Sequence, residues 1–206
     1  MRDAGRGSQE LALDFIGGRV GHRRRFGGGR GQHLPRAAGF TNANTPTVID
    51  ATAGLGRDAF LLASLGAHVT LLERSAGVHR HLEDGLSAAR AAGSHVAEIV
   101  ARMTLIHGDA KFLLSGLTAD VVLVDPMHPP RKKSSLAKKE MRLLRQLVGD
   151  DFDALELMQA ALASATKRVV LKWPLHADAL RGLPKPCHQI VGKTTRYDVF
   201  MCHRNP

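Results

Sequence analysis

From Thr47 onward the chain alternates short apolar runs with longer stretches whose apolar positions recur at helical spacing. TVIDA (47–51), HVTLLE (68–73), MTLIHG (103–108), DVVLVDP (120–126) and KRVVLKW (167–173) are rich in β-branched residues and bounded by turn residues, which predicts five strands. Helical spacing falls on DAFLLASL behind the Gly-Leu-Gly turn and on residues 78–92, 110–114, 136–148 and 154–165. HQIVGK (188–193) and RYDVFMC (196–202) predict two further strands. So little chain separates that last pair that they must run antiparallel.

Strands alternating with helices predict an α/β fold with a doubly wound, mainly parallel sheet. With the late antiparallel hairpin, this is the Rossmann-like plan of class I S-adenosylmethionine-dependent methyltransferases. Residues 1–46 lack the alternation and hold seven glycines between Gly17 and Gly31, a density that resists regular structure. The expected organisation is a basic Gly/Arg-rich arm over 1–46 and a methyltransferase domain over 47–206. There is no internal repeat.

Composition narrows the class. At 206 residues and 44% hydrophobic the chain can bury a core, which excludes a largely disordered protein. No apolar run approaches the ~18 residues of a membrane span, and the first residues do not read as a secretory signal. Cys187 and Cys202 are too few for a disulfide framework and fit a reducing, cytoplasmic setting.

Charge then adds a partner. The formal net charge is +10, from 29 Lys+Arg against 19 Asp+Glu. Between Phe15 and Ile49 lie six arginines and no acid, and between Arg131 and Arg145 seven basic residues and only Glu140. An otherwise slightly acidic body thus carries two basic segments, the distribution that a polyanion such as RNA rewards. Candidate RNA contacts are Arg23, Arg24, Arg25, Phe26 (as a base-stacking aromatic) and Arg30, then Arg131, Lys132, Lys133, Lys138 and Lys139, with Lys172 as a further phosphate contact.

Ligands of such sheets lie beyond the carboxyl ends of the strands. The first strand ends in Asp50-Ala-Thr-Ala-Gly54-Leu-Gly56-Arg57-Asp58, whose glycines admit close backbone approach before a helix N-terminus. The second ends in Glu73, a carboxylate suited to both hydroxyls of a ribose, and the third in Gly108-Asp109-Ala110, suited to an adenine amino group. Gly54 to Ala59 also satisfies the relaxed dinucleotide fingerprint G-x-G-x-x-G/A. Asp50 favours a methyl donor over a dinucleotide, because a carboxylate there repels a pyrophosphate but suits the ammonium of methionine.

The fourth strand ends in Asp125-Pro126-Met127-His128-Pro129-Pro130. An exocyclic amine is a poor nucleophile because its lone pair is delocalised into the ring. Acceptors on its N–H groups, the Asp125 carboxylate and a backbone carbonyl, would direct that lone pair toward a sulfonium methyl group and stabilise the developing charge. A turn aspartate capping the next segment is the structural alternative. Cys187-His188 and Cys202-His203 point to no metal, since strand neighbours face opposite ways. His79 and His81 read as solvated and Trp173 as packing.

Several motifs together resemble the ribosomal RNA small subunit methyltransferase J family: DFIGGRVGHRRRFGGGRG, VIDATAGLGRDAFLLASLG, LLER, VDPMHPPRKKSSLAKKEMRLLRQLVG, ATKRVVLKWP and TTRYDVF. The resemblance implies methyl transfer from S-adenosyl-L-methionine to N2 of a guanine in 16S rRNA, with the small ribosomal subunit or its RNA as partner and neither membrane nor metal involved. It further implies donor contacts from Arg57, Asp58, Glu73, Arg74, Asp109, Ala110 and Asp125, and catalysis at Asp125, Pro126 and His128. His128 stands where the family usually has Phe or Tyr, Pro129-Pro130 replaces a common Pro-His, and a further N-terminal region usual in the family is largely missing. Two other readings stay open from the residues: methylation of another amine, in DNA or protein, and a non-catalytic RNA-binding protein on the same scaffold.

Overall fold

In a strand, successive side chains point to opposite faces, so a run that is apolar at every position must be covered on both sides. VVLV and VTLLE are such runs, and the computed structural model, which describes residues 29–93, 95–127 and 153–202, covers both faces with helices. The strands are β1 (Val48–Asp50), β2 (Val69–Glu73), β3 (Met103–His107), β4 (Val121–Val124), β5 (Arg168–Pro174), β6 (His188–Val191) and β7 (Thr195–Met201). They form one sheet in the order β3-β2-β1-β4-β5-β7-β6. β1 to β5 run parallel, and β7 is antiparallel to both β5 and β6. The order reverses between β1 and β4, where Asp50 is in register with Leu123, two residues before Asp125.

The helices are α1 (His33–Ala37), α2 (Arg57–Ser64), α3 (Ala76–Ala91), α4 (His95–Val100), α5 (Ala110–Leu113) and α6 (Ala154–Ser164), with single 3-10 turns at Gly29–Gly31 and Leu114–Gly116. On one face Val48, Leu71, Leu123, Val170 and Val199 pack with Phe60, Leu62, Leu82 and Leu86. On the other, Ile49, Leu72, Val122, Leu171 and Phe200 pack with Leu114, Leu157 and Met158. Odd and even positions of each strand thus divide between two cores.

Two helices lie where the sequence predicts none. Short α4 carries β-branched residues, but Val96, Ile99 and Val100 share one buried side at helical spacing. In α1, Leu34 and Ala37 are wholly buried, and with Ala38 and Phe40 they join the core that contains Val170, Tyr197 and Val199. Residues 33–40, expected within an arm, are therefore packed into the domain. Tertiary burial holds a five-residue helix that has no side-chain cap. Helix α3 begins two residues early because the Ser75 hydroxyl accepts from the Val78 N–H at 3.5 Å. The helix expected over 136–148 lies outside the described residues.

Candidate active site

The carboxyl ends of β1, β4 and β5 bring together residues far apart in sequence. β1 ends on Asp50, which is buried, and its Oδ1 accepts the Thr52 N–H at 3.2 Å. The Thr52 hydroxyl in turn accepts the Asp125 N–H at 2.7 Å, tying the first strand end to the fourth. The chain then reaches α2 through Gly54 and Gly56, whose φ angles of 51° and 67° are left-handed. A Cβ on Gly56 would lie 2.8 Å from Leu82 Cδ1, so both conformation and space require glycine there.

Helix α2 carries Asp58 in its first turn. Lys172, near the end of β5, donates from Nζ to Asp58 Oδ2 at 2.7 Å and to Asp125 Oδ2 at 2.6 Å. Three carboxylates, Asp50, Asp58 and Asp125, thus surround one ammonium. Burial lowers the proton affinity of Lys172, but the charges of Asp125 and Asp58 outweigh it and hold the ammonium above its ordinary pKa. Burial, then the Asp58 charge, pushes the Asp50 carboxyl up from 3.8 to about 7.

That shift sets a pH dependence. Between about pH 4 and pH 7 native Asp50 keeps a proton that the unfolded chain has lost, so its contribution to stability falls as pH rises and is constant above. Denaturation at both ends of that range should show wild type losing about 4 kcal/mol more than Asp50→Asn. Parallel pH curves for the two proteins would show Asp50 to be an ordinary carboxylate.

Glu73 ends β2 almost fully buried, its Oε2 accepting the Gly54 N–H at 2.9 Å and its Oε1 the Ser75 N–H at 2.7 Å. The carboxylate expected to face a ribose also holds the glycine turn in place. Asp109 caps α5 through Oδ1, accepting the Lys111 N–H at 2.9 Å, with Ala110 buried behind it. Arg74 turns to Asp153, with Nη1 at 3.2 and 3.1 Å from its two oxygens. Lys111 Nζ lies 2.6 Å from the same carboxylate and 3.2 Å from Glu156 Oε2. Burial raises the Asp153 pKa, but the bonds from Lys111 and Arg74 outweigh it and hold the carboxyl below the usual range.

The structure therefore gathers Asp50, Gly54, Gly56, Asp58, Glu73 and Asp125 at the switch point, with Pro126 next in the chain, Arg57 beside Asp58, and Asp109 and Ala110 at the neighbouring strand end. Lys172, expected to meet RNA phosphate, is inside this cluster instead. Arg30 is also engaged. Its guanidinium donates to the carbonyls of Thr41, Asn44 and Leu65 and to the Thr45 hydroxyl, and it lies over Phe40. Sequence reasoning missed Thr52, Lys111 and Asp153 altogether. The signal for Lys172 was a lone cation closing an apolar strand. His128, Arg131, Lys132, Lys133, Lys138, Lys139, Arg23, Arg24, Arg25 and Phe26 lie outside the described residues.

A cluster of three acids around one lysine at the switch point suits a cationic ligand and disfavours a pyrophosphate, which sets the dinucleotide reading aside. The donor set fits S-adenosyl-L-methionine: carboxylates for its ammonium, a glycine turn that admits close approach, and acids at the next two strand ends. Among the described residues no helix is long and apolar enough to cross a membrane, and no cluster of three metal-ligating side chains occurs.

Comparison with known proteins agrees with this geometry. Residues 2–202 match the family described as "Putative SAM-dependent methyltransferase". The ribosomal RNA small subunit methyltransferase J of Agrobacterium fabrum is 63% identical over 96% of this chain and 95% of its own length. That of Brucella anthropi is 62% identical over 94% and 95%. The protein of the same name from Pseudomonas aeruginosa is 52% identical, with 92% of this chain covering 73% of it. Length outside the shared region thus varies among these relatives. The crystal structure of a SAM-dependent methyltransferase from Neisseria gonorrhoeae is similar with a TM-score of 0.74 at 34% identity, over 94% of this chain and 75% of that one.

Proposed function

This chain belongs to the ribosomal RNA small subunit methyltransferase J family of SAM-dependent methyltransferases, and from that premise we propose that it methylates N2 of a guanine in 16S rRNA. The observation that carries the reading is the Asp125-Pro126 strand end, with Asp125 fastened by Thr52 and by Lys172, which also holds Asp58. S-adenosyl-L-methionine supplies an electrophilic methyl group on a sulfonium centre. Asp50 and the segment Gly54–Asp58 would hold its methionine end, Glu73 its ribose, and Asp109 with Ala110 its adenine. Arg57 and Arg74 border this path.

Asp125 is the least buried of the three carboxylates, its side chain 40% exposed against 12% for Asp58, so it opens toward an arriving base. It accepts an N–H of the guanine amine, sets the direction of the nitrogen lone pair, and stabilises positive charge that grows on that nitrogen. Pro126 stiffens the turn, and His128 offers an imidazole face for the base. The protein works by position and charge, with no covalent intermediate. Incubation with labelled donor and unmodified small-subunit RNA, followed by nucleotide mapping, should place the label on guanine N2. Label on adenine, on DNA, or only on protein would sink the reading.

The basic segments have separable roles. Replacing Arg23, Arg24 and Arg25 with alanine should weaken RNA binding and reduce its salt slope by about one unit per lost phosphate contact, leaving donor affinity unchanged. Arg30→Ala should instead cost about 1–2 kcal/mol of stability with the salt slope intact, because its guanidinium ties residues 41–45 to Leu65. Binding titrations over a salt series, with thermal melts, separate the two.

A further inference from the structure

Lys172 belongs to an element that the proposed reaction has not used. It stands on β5, one strand beyond the fold's switch point, in the conspicuous segment LKWP. Its even position places it on the α2 side of the sheet with Val170, and there its Nζ meets one oxygen of Asp58 and one of Asp125. An ammonium at 2.6 Å from a carboxylate forms a strong charge-assisted bond and fixes which way the carboxylate faces. A carboxylate offers about four lone-pair sites, so a bond at Oδ2 is compatible with acceptance of an amine N–H.

The need for such a bond follows from the neighbours. Asp125 faces Asp50 from β1, Asp58 from α2 and Lys172 from β5. The Asp58 charge, joined by that of Asp50 once it ionises, favours a protonated Asp125, and a protonated carboxyl presents an O–H where the guanine amine presents an N–H. An amine facing that O–H is no longer oriented for attack. One ammonium shared between Asp58 and Asp125 cancels the repulsion where it would do most harm.

We propose that Lys172 is a positioning residue that keeps Asp125 ionised and aimed at the acceptor amine. The proposal rests on the reading of Asp125 as the group that holds that amine. Lys172 does not contact RNA phosphate, since its ammonium is already held between two carboxylates. Nor does it act as a base, because the same carboxylates keep it protonated. It gives up and takes no proton during the reaction.

The test uses the full chain with Lys172→Met and Lys172→Arg. In the first arm, carbon-13 NMR follows the Asp125 carboxyl against pH, assigned with Asp125→Asn. The Met variant should hold its Asp125 proton to a higher pH than wild type does, because the neighbouring cation is gone. In the second arm, kcat on small-subunit RNA should fall about 100-fold in the Met variant, with KM for RNA and for donor within about threefold. The Arg variant keeps the charge but displaces it, and should retain about a tenth of wild-type kcat with Asp125 titrating as in wild type. Identical Asp125 titration in wild type and Met variant overturns the proposal, as does a loss confined to KM for RNA. If the Met variant does not fold, the Arg variant decides, and a wild-type kcat there refutes the aiming role. If wild type leaves small-subunit RNA unmethylated, the functional reading fails, and the titration alone decides the role of Lys172.

Discussion

Asp125→Asn should lower kcat for methyl transfer by about 10³-fold, close to 4 kcal/mol of transition-state stabilisation, while donor affinity changes by less than about tenfold. Asparagine keeps the shape and one acceptor oxygen but replaces the other by an NH2 group. Lys172, which donates to Asp125 Oδ2 at 2.6 Å, then either faces that NH2 or claims the remaining oxygen. In neither arrangement does a negative charge remain beside the amine as the nitrogen becomes cationic. The backbone link from Asp125 N–H to the Thr52 hydroxyl is untouched, so the strand end should keep its place. Single-turnover rates with saturating donor, beside calorimetric donor titration, read the two effects separately. If donor affinity falls as far as the rate, Asp125 serves the donor and not the acceptor.

Glu73→Gln should affect both fold and ligand. The carboxylate accepts two backbone N–H groups, from Gly54 and Ser75, and is 5% exposed. A glutamine amide can accept only one of them and must turn its own NH2 toward the other, leaving a buried donor facing a donor. Hydrogen bonds to charged groups contribute about 1.5–3 kcal/mol each, so a loss of about 3 kcal/mol is expected. For a chain of this size that is a fall of roughly 8 °C in Tm. Donor affinity should fall about 100-fold, because the Gly54 turn and the ribose position depend on the same two oxygens. A melting temperature within a degree of wild type would show that the Gly54 turn holds itself.

Much of this was legible in the sequence because it is written locally. Apolar runs of strand length marked all seven strands, and acids at the ends of four of them, Asp50, Glu73, Asp109 and Asp125, marked the ligand side of the sheet. What was not legible depends on partners distant in the chain. Lys172 is separated from Asp58 by 114 residues, and nothing near it announces that two carboxylates wait for it. Arg74 reads as a donor contact from its motif, and only the fold shows that its guanidinium also meets Asp153, 79 residues on. Arg30 sits among glycines and arginines that read as one basic stretch, and only the fold shows it bound to the carbonyls of residues 41, 44 and 65. Helix α1 escaped notice for the same reason, since five residues carry too little pattern without the surface they cover.

The packing of α1 also sets an order of events during synthesis. Leu34, Ala37 and Phe40 share a core with Val170, Tyr197 and Val199, residues made well after them. While the intervening chain emerges, the apolar side of α1 has no final surface to cover, and β5 lacks its β7 neighbour. Completion of the domain therefore waits for its late antiparallel hairpin, and an arrested nascent chain ending before Thr195 should remain sensitive to protease along residues 33–40. A helix made before the sheet is secured only once the sheet is complete.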